Sequence, residues 1–419
     1  YLNLCFKSYE QKYAITPDPT AQLADRFDAI ITTAYRQTGM QVVVLIDEYD
    51  SPLQHSWKTP EHEECTNVYR NVFAILKADD EYERFVFITG VTKFAQMGIF
   101  STLNQLIDIS FDPQYNALCG MTRPEIEANF VPELEWLAER NSLTREDCMV
   151  YLTRMYDGYH FNYFRKEGMY NPFSLLNALA DKELKNYWAA SGATSLLPKF
   201  VSDMEIQLEH FDHCYIDRDT LETSDVSDGG TELFLYQSGY LTIKDYDEGV
   251  YTLGIPNFEV RKALYKIVVP ALTLKTKAQA ITTQNILLKM MQDGNLDEAK
   301  KALKALIADV PYSNKKLASM DMEERYRLII SSILNAIGFR TEVEHMLSTG
   351  RIDILCITPH YTYVIELKLS KNGGVAAAEK QIKDNQYLEP FKADKRQVVG
   401  LGIELDEDGK GLLDWKRAE

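Results

Sequence analysis

The pattern of apolar and polar positions predicts alternating helices and strands near the start of the chain. Apolar side chains recur at helical spacing from residue 20 to 38, and Gly39 follows as a stop signal. Val42–Ile46 is a continuous and mostly β-branched apolar run, which is typical of a strand buried on both faces of a parallel sheet. A helix predicted over Asn67–Ala78 and a strand over Phe85–Thr89 complete a βαβ unit.

The middle of the chain has a less regular pattern. Thr122 and Glu125 form a capping box that opens a helical stretch, which extends to about residue 154. A strand pair is predicted from Phe234–Tyr240 and Tyr251–Leu253, which flank a polar turn. Residues 257 to 310 are predicted to be helical, and Pro311–Lys316 is predicted to be a domain boundary.

The last segment has the pattern of a small α/β domain. Met322–Gly338 is predicted to be an amphipathic helix. Strands are predicted at about 340–346, 351–357 and 361–369, followed by a helix at about 374–388 and a strand over Gln397–Leu401.

Composition narrows the class of protein. A length of 419 residues favours two or three domains, and no apolar stretch approaches the roughly 18 residues that span a membrane. Six dispersed cysteines without a CxxC pair or a secretion signal predict a cytoplasmic protein. The net charge of −17 disfavours nucleic-acid binding, but Arg261–Lys316 contains eleven basic against four acidic residues. That segment is either a phosphate-binding surface or, by our preference, a solvated helical face.

Two strands of the last segment place acidic side chains opposite each other. Thr358–Tyr361 is a four-residue turn with proline at its second position, so Ile357 pairs with Thr362 and Asp353 lies opposite Glu366. Side chains two apart on a strand share a face, and Lys368 therefore lies on the same side as Glu366.

This arrangement predicts a metal site. Two facing carboxylates repel each other unless a cation lies between them, and hard oxygen ligands suit Mg²⁺ or Mn²⁺. A lysine on the same face can orient a water molecule or stabilise charge on a phosphate. The alternative is a surface hairpin with ordinary solvated charges.

The segment from about residue 320 to 402 resembles the PD-(D/E)XK nuclease superfamily. It is most similar to the version that follows an AAA-ATPase-like domain in bacterial proteins. The resemblance rests on Gly350-Arg351-Ile352-Asp353 and on Glu366-Leu367-Lys368, with Ile352 in place of the proline that names the superfamily. It implies further site residues, namely Glu323 (or Glu324) on a helix, Glu344 on a strand and Gln381 on the next helix. The implied activity is Mg²⁺-dependent phosphodiester cleavage of nucleic acid, with DNA as the first expectation.

Residues 1 to about 200 resemble the AAA-ATPase-like family. Val42–Ile46 followed by Asp47 and Glu48 has the form of a Walker B strand, and Tyr49–Leu53 and Phe87–Phe94 continue as in that family. The resemblance implies that Asp47 holds Mg²⁺, that Glu48 polarises the attacking water, and that Thr89 is the sensor residue.

One part of that machinery is missing from the sequence. No G-x-x-x-x-G-K-[ST] motif occurs, so ATP is an expected ligand only if a P-loop lies upstream. The first residue is Tyr1, not methionine, which favours a truncated chain over a domain that has lost its ATPase function. In both cases we predict that the chain as given does not hydrolyse ATP.

The expected fold class is α/β, in four segments. These are an AAA-ATPase-like domain at 1–130 with a P-loop-NTPase-like parallel sheet that lacks its Walker A part, a helical lid at 131–200, a mixed and locally basic connector at 201–315, and a restriction-endonuclease-like α/β domain at 316–419. We expect a metal-dependent nuclease with possible oligomerisation through the AAA-like half. The alternatives are an inactive nuclease fold that serves in binding or assembly, and an ATP-binding regulator.

Overall fold

The structure is a computed structural model. It describes residues 2–57, 59–93, 105–164, 167–188, 211, 214–223, 230–272, 277–308, 321–393 and 395–418. The predicted boundary at Pro311–Lys316 and part of the basic segment lie outside these ranges.

The described helices are numbered in chain order. They are α1 (Leu2–Lys12), α2 (Leu23–Thr38), α3 (Ser51–Ser56), α4 (His62–Ala78), α5 (Arg123–Asn129), α6 (Val131–Arg140), α7 (Arg145–Tyr156), α8 (Pro172–Asp181), α9 (Arg218–Thr223), α10 (Gly230–Gln237), α11 (Phe258–Leu272), α12 (Lys277–Gln292), α13 (Leu296–Ile307), α14 (Met322–Ala336) and α15 (Gly374–Asp384).

The described strands form three sheets. They are β1 (Val42–Ile46), β2 (Glu83–Ile88), β3 (Cys214–Asp217), β4 (Thr242–Asp247), β5 (Val250–Gly254), β6 (Arg340–Leu347), β7 (Gly350–Ile357), β8 (Tyr361–Leu369), β9 (Gln397–Leu405) and β10 (Leu412–Ala418). The sheet orders are β1-β2, β3-β5-β4 and β10-β9-β8-β7-β6.

The chain divides into two compact units. The first contains Tyr1–Asn116, Phe161–Arg165 and Tyr215–Thr252, and the second contains Ala117–His160, Lys166–Cys214 and Leu253–Glu419. In the part of the chain that the structure covers, no helix is both long and apolar enough to cross a membrane.

The first unit contains the predicted βαβ unit. Strands β1 and β2 are parallel, with Val44 opposite Val86 and Ile46 opposite Ile88, and α3 and α4 connect them. One face of the pair packs against α2 and α4, where Ile31, Phe73 and Leu76 are buried. The predicted parallel pairing is confirmed.

The prediction that β1 is buried on both faces is wrong. Val44 is 8% exposed, but its neighbours Val43 and Leu45 are 53% and 69% exposed, and Phe85 of β2 is 54% exposed. The pair therefore has one covered face and one open apolar face among the described residues. Only these two strands of the expected P-loop-like sheet are present in the described chain.

The predicted strand Phe234–Tyr240 is also wrong. Its first residues lie in α10, where Leu233, Phe234 and Leu235 are all buried. Three consecutive buried side chains point in different directions, so all of them can be buried only where the core surrounds the segment, as it surrounds this helix. The strand that pairs with β5 in place of the predicted one begins later, at Thr242, and forms β4.

The second unit contains a helical core and the C-terminal sheet. The predicted helical stretch after the Thr122 capping box comprises α5, α6 and α7, whose side chains Leu134, Leu152 and Tyr156 are fully buried. Glu259 of α11 is buried and accepts hydrogen bonds from the backbone N–H groups of Tyr187, at 2.5 Å, and Trp188, at 2.7 Å.

The C-terminal sheet has the predicted α/β order with one additional strand. Strand β8 is parallel to β9, and the other pairs are antiparallel. A Cβ at Gly402 of β9 would lie 3.1 Å from the Cβ of Ala378, so glycine allows α15 to pack closely on this strand. The strand β10 completes the sheet beyond β9.

Candidate active site

The hairpin of β7 and β8 has the predicted register. Ile357 is paired with Thr362, and the ladder continues to Ile354 opposite Ile365. The turn is closed by the N–H of Thr358, which donates to the carbonyl of Tyr361 at 2.8 Å. Asp353 and Glu366 occupy the next positions of the two strands, beyond the last ladder pair, and Asp353 is close enough to raise the pKa of Glu366.

Both carboxyl groups are buried. Asp353 is 7% exposed and Glu366 is 0% exposed. Asp353 Oδ2 accepts a hydrogen bond from the backbone N–H of Leu367 at 2.9 Å, which fixes this carboxylate against β8. Neither side-chain oxygen of Glu366 has a hydrogen-bond partner in the described chain.

Burial disfavours a charge on Glu366. Desolvation, and then the close approach of the Asp353 carboxyl group, raise the pKa of Glu366 to about 9. A buried acid without hydrogen bonds is costly, and a divalent cation between the two groups would satisfy it. The unpaired oxygens of Glu366 beside Asp353 therefore fit a hard metal ion such as Mg²⁺ or Mn²⁺, which is often bound through one or two protein carboxylates.

Lys368 and Glu323 lie next to this pair. Lys368 Nζ is 3.6 Å from Glu366 Oε2 and 3.5 Å from Glu323 Oε1. Burial lowers the pKa of Lys368, but Asp353, Glu366 and Glu323 together outweigh it, so the net pKa is raised and the ammonium stays charged. Glu323 lies in the first turn of α14, so this helix places it over the β8 strand.

Glu344 lies opposite Asp353 on the other neighbouring strand but makes different contacts. The β6–β7 register places it between the pairs Val343–Ile354 and His345–Ile352. Its Oε1 is 3.1 Å from Arg327 Nη2 and 3.0 Å from Arg351 Nη1. The backbone of Glu344 has φ +53°, a conformation that residues with a side chain rarely adopt.

Gln381 lies away from the carboxyl pair in the contacts that the structure gives it. Its Nε2 is 3.5 Å from the hydroxyl of Tyr387. That hydroxyl donates to the carbonyl of Arg351 at 2.9 Å and accepts from the N–H of Arg351 at 3.1 Å. Gln381 therefore belongs to the group that fixes the start of β7.

Among the described residues, the acids do not form a larger metal-binding cluster. Within the described residues, no group of three or more His, Cys, Asp and Glu side chains is arranged to hold a metal ion. The structure thus brings Asp353, Glu366, Lys368 and Glu323 together, while Glu344 is held by arginines.

The Walker B-like residues lie at the carboxyl edge of β1 and β2. Asp47 Oδ1 accepts hydrogen bonds from Thr89 Oγ1 at 2.5 Å and from the N–H of Glu48 at 3.0 Å. Asp47 and Glu48 are exposed, and Glu48 has φ +52°. This edge is where ligands bind in open parallel sheets.

Sequence reasoning missed three residues that organise these sites. Asp50 is 1% exposed and accepts from the N–H groups of Val91 and Thr92, which fixes the loop after β2. Asp50 lies in the segment Tyr49–Leu53, which resembles the AAA-ATPase-like family, but the resemblance did not assign a role to this acid. No sequence motif marked Arg327 or Tyr387, because their contacts depend on how α14 and the segment after α15 pack on the sheet.

Comparisons with known proteins give two partial matches. Residues 1–100 match the family described as predicted AAA-ATPase, and residues 321–415 match the PD-(D/E)XK nuclease superfamily. The chain is also 29% identical over 396 residues to an uncharacterized protein in the vnfD 5′ region of Azotobacter chroococcum mcd 1, which covers 93% of this chain and 74% of that protein. No solved structure matches the chain. The chain therefore combines an AAA-ATPase-like segment at its N-terminus with a PD-(D/E)XK nuclease superfamily domain near its C-terminus.

Proposed function

We propose that the C-terminal domain is a metal-dependent phosphodiesterase that cleaves nucleic acid. The observation that carries this proposal is the buried pair of Asp353 and Glu366. Both oxygens of Glu366 lack a hydrogen-bond partner among the described residues, and Lys368 Nζ lies 3.6 Å from one of them. In this proposal the two acids hold Mg²⁺ or Mn²⁺. The metal, when bound, supplies a Lewis acid that polarises a phosphate oxygen.

Residues of the chain position the Lys368 ammonium and the Asp353 carboxylate in the proposed site. Glu323 holds the ammonium of Lys368 at the edge of the pair, where it can donate to the attacking water or to a phosphate oxygen. The N–H of Leu367 keeps Oδ2 of Asp353 occupied, which leaves Oδ1, 3.6 Å from Arg327 Nη1, as the oxygen for the metal. Glu344 and Gln381 are assigned supporting roles, and the substrate is proposed to be DNA.

Cleavage assays on the full chain test the proposal. With Mg²⁺ or Mn²⁺ we expect cleavage of plasmid DNA or single-stranded RNA, lost by about 100-fold or more in Asp353→Ala and Lys368→Ala. Lys371→Ala is the matched control, because Lys371 is an exposed lysine three residues further along the chain.

The outcomes separate an enzyme from an inactive nuclease fold. Circular dichroism should show that each variant keeps the fold. Full cleavage by Lys368→Ala would contradict the assignment of this lysine. Calorimetry without specific Mn²⁺ binding to the unsubstituted chain would favour the alternative, a binding or assembly module.

A further inference from the structure

A cation already bridges two carboxylates beside the proposed metal site, and it is the guanidinium of Arg327. Its Nη2 lies 3.1 Å from Glu344 Oε1, and its Nη1 lies 3.6 Å from Asp353 Oδ1. The side chain of Arg327 is 11% exposed, so α14 delivers this charge from within the domain. One planar group therefore contacts acids on two neighbouring strands.

A second arginine acts on the same oxygen. Arg351 Nη1 is 3.0 Å from Glu344 Oε1, and its side chain is 51% exposed. The backbone of Arg351 is held at both its N–H and its carbonyl by the hydroxyl of Tyr387. Gly350 allows this close approach, because a Cβ there would lie 2.5 Å from that hydroxyl. The backbone from which the Arg351 side chain reaches Glu344 is therefore fixed.

The backbone conformation of Glu344 is unusual, as expected for a residue whose side chain is held in place by two partners. Its φ of +53° occurs within β6, where a residue with a side chain adopts it only at a cost. The neighbouring positions Val343 and His345 keep their pairing with β7. The unusual geometry is therefore confined to the residue that both arginines contact.

We propose that Arg327 and Arg351 form a clasp that withholds Glu344 from the carboxyl pair, and that opening this clasp adds a third carboxylate to the metal site. The inference rests on the proposed function of the pair Asp353 and Glu366. A divalent cation and a guanidinium compete for the same carboxylates, because each gains by neutralising them. The clasp consequently lowers the affinity of the site for metal.

Mn²⁺ titration by calorimetry tests the clasp in the full chain. Arg351→Gln removes the exposed half of the clasp, so it preserves the fold better than a change at buried Arg327. We expect Arg351→Gln to bind Mn²⁺ about twofold to fivefold more tightly than the unsubstituted chain, the size of one partly exposed ion pair. The gain should vanish when Glu344→Gln is combined with it, so that the double variant binds no more tightly than Glu344→Gln alone.

Arg340→Gln is the matched control. It removes the same charge from the same sheet, but Arg340 pairs with Glu342, at 2.6 Å, and not with Glu344. An equal gain in Arg340→Gln would overturn the clasp, as would unchanged or weaker binding in Arg351→Gln. If the unsubstituted chain binds no Mn²⁺, or binds it equally well after Asp353→Asn, the proposed function fails and the clasp fails with it.

Discussion

Glu366 is a carboxyl group that the fold buries with little compensation, since Lys368 Nζ at 3.6 Å is its one ion-pair partner among the described residues. It is fully buried, its oxygens lack hydrogen-bond partners in the described chain, and its neighbour Asp353 raises its pKa further than burial alone. Because its pKa is raised to about 9, the folded chain must hold a proton on this group at neutral pH, and that costs free energy. Replacing such a buried group by an apolar side chain of similar size is often neutral or stabilising. Such a site lowers the stability of the metal-free fold and in return can bind a metal ion.

Replacing Glu366 should therefore stabilise the metal-free protein. We expect Glu366→Met to raise the free energy of unfolding by about 1–2 kcal/mol in buffer with chelator, measured by urea denaturation. The same variant should lose the additional stability that Mn²⁺ gives the unsubstituted chain. A lower free energy of unfolding than that of the unsubstituted chain would show that the carboxyl group has a partner that stabilises it.

The positions of individual site residues were predictable where strand geometry alone determines them. The proximity of Asp353 and Glu366 followed from the turn length, and the shared side of Lys368 followed from the two-residue period of a strand. The position of Arg327 did not follow from either rule. It depends on the rotation of α14 over the sheet, which local spacing does not determine.

At the scale of single elements, the start of β2 carries a group of acids. Burial, and then repulsion from Asp79 and Asp80, raise the pKa of Glu83 to about 7. Glu83 Oε1 has no hydrogen-bond partner among the described residues. Burial likewise raises the pKa of Asp79, with Asp28 adding to the effect.

This group gives the stability of the fold a defined dependence on pH. The folded chain holds a proton on Glu83 that the unfolded chain releases at its ordinary pKa of 4.5. Stability is therefore lost as pH rises from about 4.5 to about 7. We expect Glu83→Gln to remove this component, so that its melting temperature relative to the unsubstituted chain is higher at pH 8 than at pH 5.

The neighbouring exposed acid provides the control. Glu81→Gln changes the same charge two residues earlier, at an exposed position of the same loop. It should leave the difference between pH 5 and pH 8 close to that of the unsubstituted chain. Equal pH dependence in Glu83→Gln and in the unsubstituted chain would contradict the assignment.

Whole elements were predictable where the apolar period was clear, as for α2, β1, α4 and β2. The prediction failed at α10, because a short apolar run has no period that separates a buried helix from a buried strand. It also failed for the cover of β1. An apolar run predicts a strand, but it does not reveal whether both faces have partners.

At the scale of the whole chain, two family matches lie near opposite ends. The AAA-ATPase-like match ends at residue 100, and the nuclease match begins at residue 321. The basic segment between them is only partly described, and one of its lysines, Lys300, is paired with Asp414 of β10. That contact favours a structural role for this lysine over one in binding phosphate.

The N-terminal match does not imply ATP turnover by these 419 residues. The sequence contains no G-x-x-x-x-G-K-[ST] motif to hold the phosphates, although Asp47 and Thr89 are in contact at the edge of the sheet. We expect phosphate release from Mg-ATP to be the same for the unsubstituted chain and for Glu48→Gln. A rate that Glu48→Gln abolishes would contradict this expectation.

The open face of β1 and β2 has a consequence for self-association in solution. Val43, Leu45 and Phe85 present an apolar stripe to water, and such stripes attract one another. A net charge of −17 opposes this attraction by mutual repulsion. Added salt shortens the range of that repulsion to about 10 Å at 0.1 M and leaves the apolar attraction in place. We therefore expect the molecules to stay apart at low ionic strength and to associate through these apolar faces when salt is added.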